Sequence, residues 1–311
     1  MILLRFIYIQ VFITCSFLAS SQPIDSVQCG NTTIYFQVEG SGDPVYVLSG
    51  GPGINPTYMQ PICDELSKTY QTILVHQRGT GKSHVEVNKE NINIDLYSQD
   101  IRAIKEKLHH QKIILLGHSW GGMLSMHYAT TYPDDVDQML LISSGGCSMN
   151  FYHYFGNNIR SRLSEEDKAF VALLDEYFNK VWDLPMSDSL RDALNWLATE
   201  EVNIMTKAYF YDKSLAATNR TSVADINFRV LETMVQSLFA ADWDLAPKLK
   251  NINIPTLILQ GRQDPIDLET ARVIQAAIPN SKLVILEKCG HFPWIEQKEE
   301  FFGALQKFIS E

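Results

Sequence analysis

The chain has 311 residues, 45% of them hydrophobic and 20% charged, a balance typical of a folded globular protein with a sizeable core. Asp and Glu outnumber Lys and Arg by 36 to 26 and no run of basic residues occurs, which argues against a nucleic-acid partner. The length fits two domains, or one large α/β domain that carries an insertion.

The first residues have the layout of a secretory signal peptide. Arg5 precedes a mostly apolar run at 6–18, and a short stretch of small and polar residues follows that run. The run is shorter than the roughly 18 residues that span a membrane comfortably, so cleavage near Ser21 or Gln22 is favoured over a retained anchor. We predict that residues 1–22 are a signal peptide, that the protein is secreted or periplasmic, and that the mature chain has no membrane span.

Four cysteines remain once that segment is removed: Cys29, Cys63, Cys147 and Cys289. An even number of cysteines in an exported chain permits disulfides, and four cysteines allow three pairings. A chain of this size has enough core to fold without such cross-links, so the sequence does not decide whether any of them pair. The oligomeric state is left open as well.

Strand and helix patterns alternate between residues 31 and 143. The runs 113–116 and 139–142 are continuously apolar, as expected for parallel strands that helices cover on both faces. This alternation predicts a mostly parallel central sheet flanked by helices. The predicted strands are 32–38, 45–49, 72–76, 112–117 and 138–143, and the predicted helices are 58–70, 95–109 and 119–132.

Only helical patterns occur between residues 147 and 243. Ser164 stands before three acidic residues as a helix N-cap, and Pro185 ends the helix that it begins. We predict a core domain of residues 23–146 and 244–311, interrupted by a helical domain of residues 147–243. In the second part of the core the predicted strands are 255–261 and 282–286, and the predicted helices are 268–278 and 296–309. The apolar face of the helix after Ser164 is predicted to contain Phe170, Leu173, Leu174, Tyr177 and Val181.

The segment Gly117-His118-Ser119-Trp120-Gly121 matches the pattern G-x-S-x-G. It lies between an apolar strand and a helix, where a sharp turn would leave no room for side chains at 117 and 121. Such a turn lifts the serine hydroxyl above the sheet edge, and the helix N-terminus beneath it stabilises negative charge. Ser119 is therefore the candidate nucleophile, and an ordinary Gly-rich turn is the alternative interpretation.

His291 and Asp264 are the candidate partners of this serine. Both follow predicted strands. With Ser119 they stand in the order serine, acid, histidine, which is the order expected where a G-x-S-x-G turn joins a strand to a helix. Asp264 would hold the imidazole in one tautomer and stabilise the imidazolium that forms during turnover. Asp267 is the nearest competing acid, but an N-cap role for the next helix explains it. His118 is adjacent to the serine, and its side chain is expected to point away from the apex of the turn.

The segment Ser49-Gly50-Gly51-Pro52-Gly53 follows the strand at 45–49. It would expose backbone N–H groups at the sheet edge where the serine lies. The amides of Gly51 and Trp120 are therefore predicted to form an oxyanion hole. A plain turn is the alternative, because Gly-Pro-Gly forms turns in many contexts.

No cofactor is predicted. The segment 78–83, Arg-Gly-Thr-Gly-Lys-Ser, resembles the end of a P-loop, but that motif would require Gly where His76 stands, and no helix pattern begins at Ser83. No zinc signature such as H-E-x-x-H is present, so no metal site is predicted either.

Together these motifs resemble those of the prolyl iminopeptidases and related serine aminopeptidases of the α/β-hydrolase superfamily. Gly50-Gly51-Pro52-Gly53 is similar to the oxyanion-loop signature of that family, and Gly117-His118-Ser119-Trp120-Gly121-Gly122 to its nucleophile elbow. The segment 77–83 is similar to its Q-R-G-x-G-x-S loop. The resemblance covers residues 31–143 and 254–309. It implies an α/β-hydrolase fold in which the helical insertion is a cap over the active site.

The sequence departs from the family at two positions. The family usually has His where this chain has Ser49, and Asp where it has His76. In the family, carboxylates of the cap bind the free amino group of the substrate. By spacing, Glu232 is the best-placed counterpart, with Glu200 and Glu201 as rivals. The resemblance therefore carries over the catalytic residues more fully than the exopeptidase specificity.

The sequence thus predicts a serine hydrolase that acts through an acyl-enzyme on Ser119, with a small molecule or a short peptide as substrate. The favoured activity is that of an aminopeptidase on short peptides, and hydrolysis of small carboxylic esters is the alternative. A ligand-binding protein on a hydrolase scaffold is the third hypothesis, against which the complete triad argues.

Overall fold

The fold is built on one eight-stranded sheet. A computed structural model describes residues 24–181 and 188–311, so the predicted signal peptide lies outside the described residues. In this part of the chain the strands lie in the order β1-β2-β4-β3-β5-β6-β7-β8. Their bounds are β1 Ile24–Cys29, β2 Thr32–Gly40, β3 Pro44–Leu48, β4 Gln71–His76, β5 Ile113–His118, β6 Val136–Ile142, β7 Thr256–Gly261 and β8 Ser281–Leu286.

Strand β1 is the one strand of this sheet that the sequence analysis missed. It pairs antiparallel with β2, and β2 pairs antiparallel with β4. The strands from β4 and β3 to β8 are all parallel. The predicted mostly parallel sheet is therefore confirmed. Because the carboxyl ends of parallel strands share one edge, the loops that follow β3, β5, β7 and β8 meet there.

Helices cover both faces of the sheet. In β3 the side chains alternate: Val45 and Val47 belong to one buried cluster, and Tyr46 and Leu48 to the other. This alternation is the two-residue period of a strand that is buried on both sides. The helices are α1 Gln60–Leu66, α2 Ile94–Lys107, α3 Trp120–Thr131, α4 Tyr152–Arg162, α5 Glu165–Val181, α6 Asp188–Thr206, α7 Phe228–Ala240, α8 Ala246–Leu249, α9 Leu268–Ala277, α10 Pro293–Glu296 and α11 Lys298–Ile309.

Helices α4 to α7 lie between β6 and β7, where the sequence predicted helices only. Ser164 accepts a hydrogen bond from the Asp167 N–H at 3.1 Å, so it caps α5 as predicted. The predicted apolar face of α5 is only partly buried, because its neighbours cover a narrow strip of the helix that contains Leu174 and Val181. Leu173 is 61% exposed. The division of the chain into core and cap domains stays a prediction.

Cys29, Cys63, Cys147 and Cys289 are all free thiols, so no disulfide joins them. Along the described stretches 24–181 and 188–311, no helix has both the length and the apolar character that a membrane crossing requires.

Candidate active site

Ser119 occupies a sharp turn between β5 and α3. Its backbone has φ 56° and ψ −117°, a conformation that is strained for any residue other than glycine. A Cβ atom at Gly117 would collide with the backbone of Gly121, and one at Gly121 would collide with the backbone of Leu48. The two glycines are therefore required by close packing, as the motif predicts. The turn leaves Ser119 facing a cavity at the carboxyl edge of the sheet.

His291 and Asp264 form a buried pair in the loops after β8 and β7. The His291 Nδ1 atom lies 2.9 and 3.0 Å from the two carboxylate oxygens of Asp264. Because a carboxylate only accepts hydrogen bonds, Nδ1 carries a proton, and in the neutral form of the ring Nε2 has a free lone pair. Nε2 has no hydrogen-bond partner among the described residues, and His291 faces the same cavity as Ser119. Ser119 and an imidazole oriented by a carboxylate therefore face one cavity.

The competing acid has the role that the sequence assigned to it. Asp267 accepts hydrogen bonds from the backbone N–H and the hydroxyl of Thr270, at 3.0 and 2.9 Å, and so caps α9. Asp264 also accepts from the Ile266 N–H at 2.8 Å, which fixes the carboxylate that faces His291.

The backbone of the His291 loop is held from the segment after α6. The His291 N–H donates to the Tyr209 carbonyl at 2.6 Å. Glu296 accepts from the Gly290 N–H at 2.6 Å with one oxygen. With its other oxygen it accepts from the Tyr211 and Asp212 N–H groups at 2.8 and 3.0 Å. The Glu296 carboxylate therefore joins the His291 loop to residues 211–212, and burial raises the pKa of Glu296.

Gly51 and Trp120 both line the cavity beside Ser119. Within the described residues the Gly51 N–H has no hydrogen-bond acceptor. Trp120 is the first residue of α3, so its N–H has no acceptor inside the helix. Gln77 holds the two segments together: its NH₂ donates to the Ser49 carbonyl and its oxygen accepts from the Trp120 indole, both at 2.9 Å. Two backbone groups with free donors thus line the cavity that Ser119 faces.

The cavity has a volume of about 940 Å³. That is near the upper end of the roughly 300–1,000 Å³ usual for small-molecule sites. Most of its lining is apolar, and among the described residues the charged side chains that line it are Glu201, Arg220 and Asp225. Arg220 is paired with Glu200. The apolar lining includes Met123, Met149, Phe151, Tyr152, Phe155, Tyr209, Phe292 and Trp294.

The structure does not bring Glu232 to this cavity. Its side chain is exposed and accepts a hydrogen bond from Gln236 at 3.0 Å, while Leu231 and Val235 of the same helix line the cavity. Sequence spacing misled here because it cannot tell which face of α7 points inward. The rival Glu201 does line the cavity, and burial, with a smaller effect of Asp175, raises its pKa.

His118 is the site residue that sequence reasoning undervalued. Its ring lies beside that of His291, with 4.5 Å between the centroids, and it is 2% exposed. The position of His118 in the elbow motif is the one feature of the sequence that could have identified it. Its neighbour Tyr58 belongs to no motif that the sequence analysis recognised.

The loop that resembles a P-loop is filled by its own contacts. Arg78 pairs with buried Asp100, its Nε lying 3.0 Å from the carboxylate, and also donates to Thr32. His76 is buried, its Nδ1 accepts from the Lys82 N–H at 3.3 Å, and burial lowers its pKa to about 4. Over residues 24–181 and 188–311, no group of three His, Cys, Asp or Glu side chains is arranged to hold a metal ion.

Comparison with known proteins identifies the fold family. The sequence model of the alpha/beta hydrolase fold matches residues 43–298. The proline iminopeptidase of Saccharolobus solfataricus is 26% identical over 283 residues, covering 89% of this chain and 87% of that protein. That of Thermoplasma volcanium is 26% identical over 301 residues, covering 89% and 93%. The predicted resemblance to prolyl iminopeptidases is confirmed.

Solved structures share the fold. The proline iminopeptidase of Mycobacterium smegmatis has a TM-score of 0.68 at 20% identity, over 93% of this chain and 98% of that one. The esterase EaEST of Exiguobacterium antarcticum has a TM-score of 0.68 at 21% identity, over 92% and 99%. Enzymes with different substrates thus lie on this fold, so the likeness alone does not select a substrate.

Proposed function

This chain belongs to the α/β-hydrolase fold family, and from that premise we propose that it is a serine hydrolase that acts through a covalent acyl-enzyme. Ser119 is the proposed nucleophile, His291 the general base and Asp264 the orienting acid. The observation that supports this most is the buried His291–Asp264 pair, which leaves Nε2 of the base facing the cavity that Ser119 lines.

In the first half of the proposed reaction, the Ser119 hydroxyl attacks the carbonyl carbon of the substrate while His291 Nε2 takes its proton. Asp264 stabilises the imidazolium, and the N–H groups of Gly51 and Trp120 stabilise the oxyanion. The bond to the leaving group then breaks, His291 donates the proton to that group, and the acyl group stays on the Ser119 oxygen.

In the second half, water attacks the acyl carbon and gives a proton to His291. The bond between the acyl carbon and the Ser119 oxygen breaks, the proton returns to Ser119, and a carboxylic acid leaves. The net reaction consumes one water and needs no cofactor from the chain.

We propose an aminopeptidase action on short peptides as the finer activity. The named relatives support it, as does the carboxylate of Glu201 in a mostly apolar cavity. A half-buried carboxylate whose pKa is raised gains most from a cationic partner, and an N-terminal ammonium would be one. A charge-assisted hydrogen bond of this kind contributes about 1.5–3 kcal/mol.

Hydrolysis of carboxylic esters is the second candidate. The large, mostly apolar cavity favours it, because an apolar acyl group needs no ionic partner. The two candidates share the same chemistry at Ser119 and differ in whether the substrate amine is recognised.

The deciding experiment compares free and N-acetylated aminoacyl p-nitroanilides, together with p-nitrophenyl acyl esters, on the purified protein. We expect N-acetylation to lower kcat/KM at least about tenfold, since 1.4 kcal/mol corresponds to a factor of ten. The variant Glu201→Gln should lose this discrimination and still cleave esters, whereas Glu232→Gln, the matched control on α7, should keep it. Equal cleavage of free and blocked substrates would leave the esterase as the better description.

A further inference from the structure

A chain of hydrogen bonds connects the oxyanion loop to the backbone of the proposed base. The Gly50 N–H donates to the Tyr58 hydroxyl oxygen at 2.6 Å. The Tyr58 oxygen lies 2.8 Å from His118 Nδ1, and His118 Nε2 lies 2.9 Å from the His291 carbonyl oxygen. This chain of hydrogen bonds therefore runs from Gly50, the residue before Gly51, to the backbone carbonyl of His291, the proposed base.

Chemistry fixes the direction of every bond in this chain. A carbonyl oxygen only accepts, so His118 Nε2 must carry a proton. In a neutral imidazole the other nitrogen is then an acceptor, so the Tyr58 hydroxyl donates to it. The Tyr58 oxygen in turn accepts from Gly50. Each group has one partner in each role it needs, and only the Nε2–H tautomer of a neutral His118 satisfies all of them.

A protonated His118 would break this pattern. Both of its nitrogens would donate, and the Tyr58 oxygen would then face two donors while its own proton lost its acceptor. The aromatic rings packed against His118 are those of Tyr58, His291, Phe292 and Trp294, and of these Tyr58 and His291 are titratable. Burial is the first cause that lowers the pKa of His118, and the neighbouring His291 is the second.

Neutral His118 matters because of where the charge appears during turnover. On the proposed mechanism His291 becomes an imidazolium, and the two ring centroids are only 4.5 Å apart. A second positive charge at that distance in a buried site would oppose proton transfer from Ser119. The same series of hydrogen bonds uses the Gly50 N–H, so that group is not available to an oxyanion, whereas the Gly51 N–H has no acceptor among the described residues.

We propose that Tyr58 and His118 are positioning residues for the reaction. They hold the oxyanion loop and the base loop in a fixed relation and keep the neighbour of His291 uncharged. This inference rests on the proposed serine-hydrolase function and predicts an effect on kcat rather than on substrate affinity.

The kinetic test uses Tyr58→Phe and His118→Leu, each of which removes links of the chain. We expect kcat for a p-nitrophenyl ester to fall about 10- to 100-fold with KM within threefold, as small displacements of catalytic groups do. His118→Gln keeps an NH₂ donor for the His291 carbonyl and should recover part of the loss. In Tyr58→Phe the acid limb of the kcat/KM profile should move to higher pH, because His118 Nδ1 is then free to bind a proton.

The matched control is Tyr46→Phe. Tyr46 makes an equivalent bond to His110 Nδ1 at 2.9 Å, near the amino edge of the sheet. The substitution Tyr46→Phe should leave kcat and the pH profile of kcat/KM unchanged. Folded Tyr58→Phe and His118→Leu proteins with unchanged kcat, or with only KM raised, would overturn the proposal.

A direct test needs no variant. Nitrogen-15 NMR of the wild-type protein labelled at histidine should show His118 as the neutral Nε2–H tautomer at neutral pH. The Nδ1–H tautomer or a charged ring would overturn the inference. Absence of fluorophosphonate labelling at Ser119 would instead refute the proposed function, so the two failures are distinguishable.

Discussion

At the residue scale, the backbone conformation of Ser119 leads to a prediction about the free energy of unfolding. Its φ of 56° with ψ of −117° suits glycine better than any residue with a Cβ atom. We expect Ser119→Ala and Ser119→Gly both to abolish fluorophosphonate labelling, because neither has a nucleophile. The free energy of unfolding should be about 1 kcal/mol higher in the glycine variant, since strain of this kind costs about 1–3 kcal/mol. Urea denaturation of the two proteins measures the difference, and labelling that persists in either would contradict the assignment.

A second residue-scale prediction concerns the acid. Asp264→Asn should lower kcat by about 10⁴-fold, as loss of the orienting carboxylate does in serine proteases, because the amide also stabilises the wrong imidazole tautomer. Asp267→Asn is the control: asparagine caps helices about as well as aspartate, so its activity and stability should be close to wild type. Steady-state kinetics of both variants decides between the two acids, and near-normal activity of Asp264→Asn would move the role elsewhere.

At the element scale, the sheet could be predicted because strands buried on both faces are continuously apolar, as at 113–116 and 139–142. Strand β1 escaped because an edge strand that is only half-buried alternates weakly, and because it follows the predicted signal peptide directly. The positions of Ser119 and Asp264 and the capping role of Asp267 could be predicted because each is marked by the local sequence at the end of a strand or the start of a helix. The places of Glu201, Tyr58 and His118 depend on which faces of distant segments meet, which no local pattern records.

Helix α7 provides an element-scale prediction. Its N-cap Asn227 accepts from the Val230 N–H at 3.3 Å and donates to the Gly79 carbonyl at 3.0 Å, while its own N–H donates to the Gly53 carbonyl at 2.7 Å. Asn227→Ala should lower the free energy of unfolding by about 1–2 kcal/mol. Asn227→Asp keeps the cap and loses only the donor to Gly79, so its loss should be smaller. Chemical denaturation of the two variants tests this order, and an equal loss would contradict it.

At the scale of the whole molecule, buried neutral histidines make stability depend on acid. The pKa of His76 falls to about 4 in the folded protein because of burial, while an unfolded chain binds the same proton near pH 6.5. Well above pH 6.5, His76 is neutral in both the folded and the unfolded protein. As the pH falls from 6.5 to 4, His76 binds a proton in the unfolded protein before it does so in the folded protein, so stability is lost over that range.

His76→Asn isolates this contribution, because other titrating groups are common to both proteins. Between pH 7 and pH 4 the wild type should lose about 3 kcal/mol more unfolding free energy than the variant, as the shift of the His76 pKa implies. Urea denaturation at several pH values measures this difference. Parallel pH profiles for the two proteins would show that His76 is not responsible.

Export is a prediction about the whole chain. If residues 1–22 are a signal peptide, the protein recovered from outside the cytoplasm should begin near Gln22 or Pro23. Mass spectrometry of the intact protein gives this directly, and an exported protein that retains Met1 would refute the prediction.

On the proposed mechanism, the hydrogen bonds of the Glu296 carboxylate have a kinetic consequence. It binds the Gly290 N–H of the base loop and the N–H groups of residues 211–212 together, while the Tyr209 carbonyl accepts from the His291 N–H. Residues 209–212 therefore cannot swing outward without loosening His291 in the same step. An opened molecule would admit substrate and release product but would lack an aligned base, so bond cleavage would wait for closure. Entry and chemistry would then alternate in time, and a slow closing step would set the turnover rate.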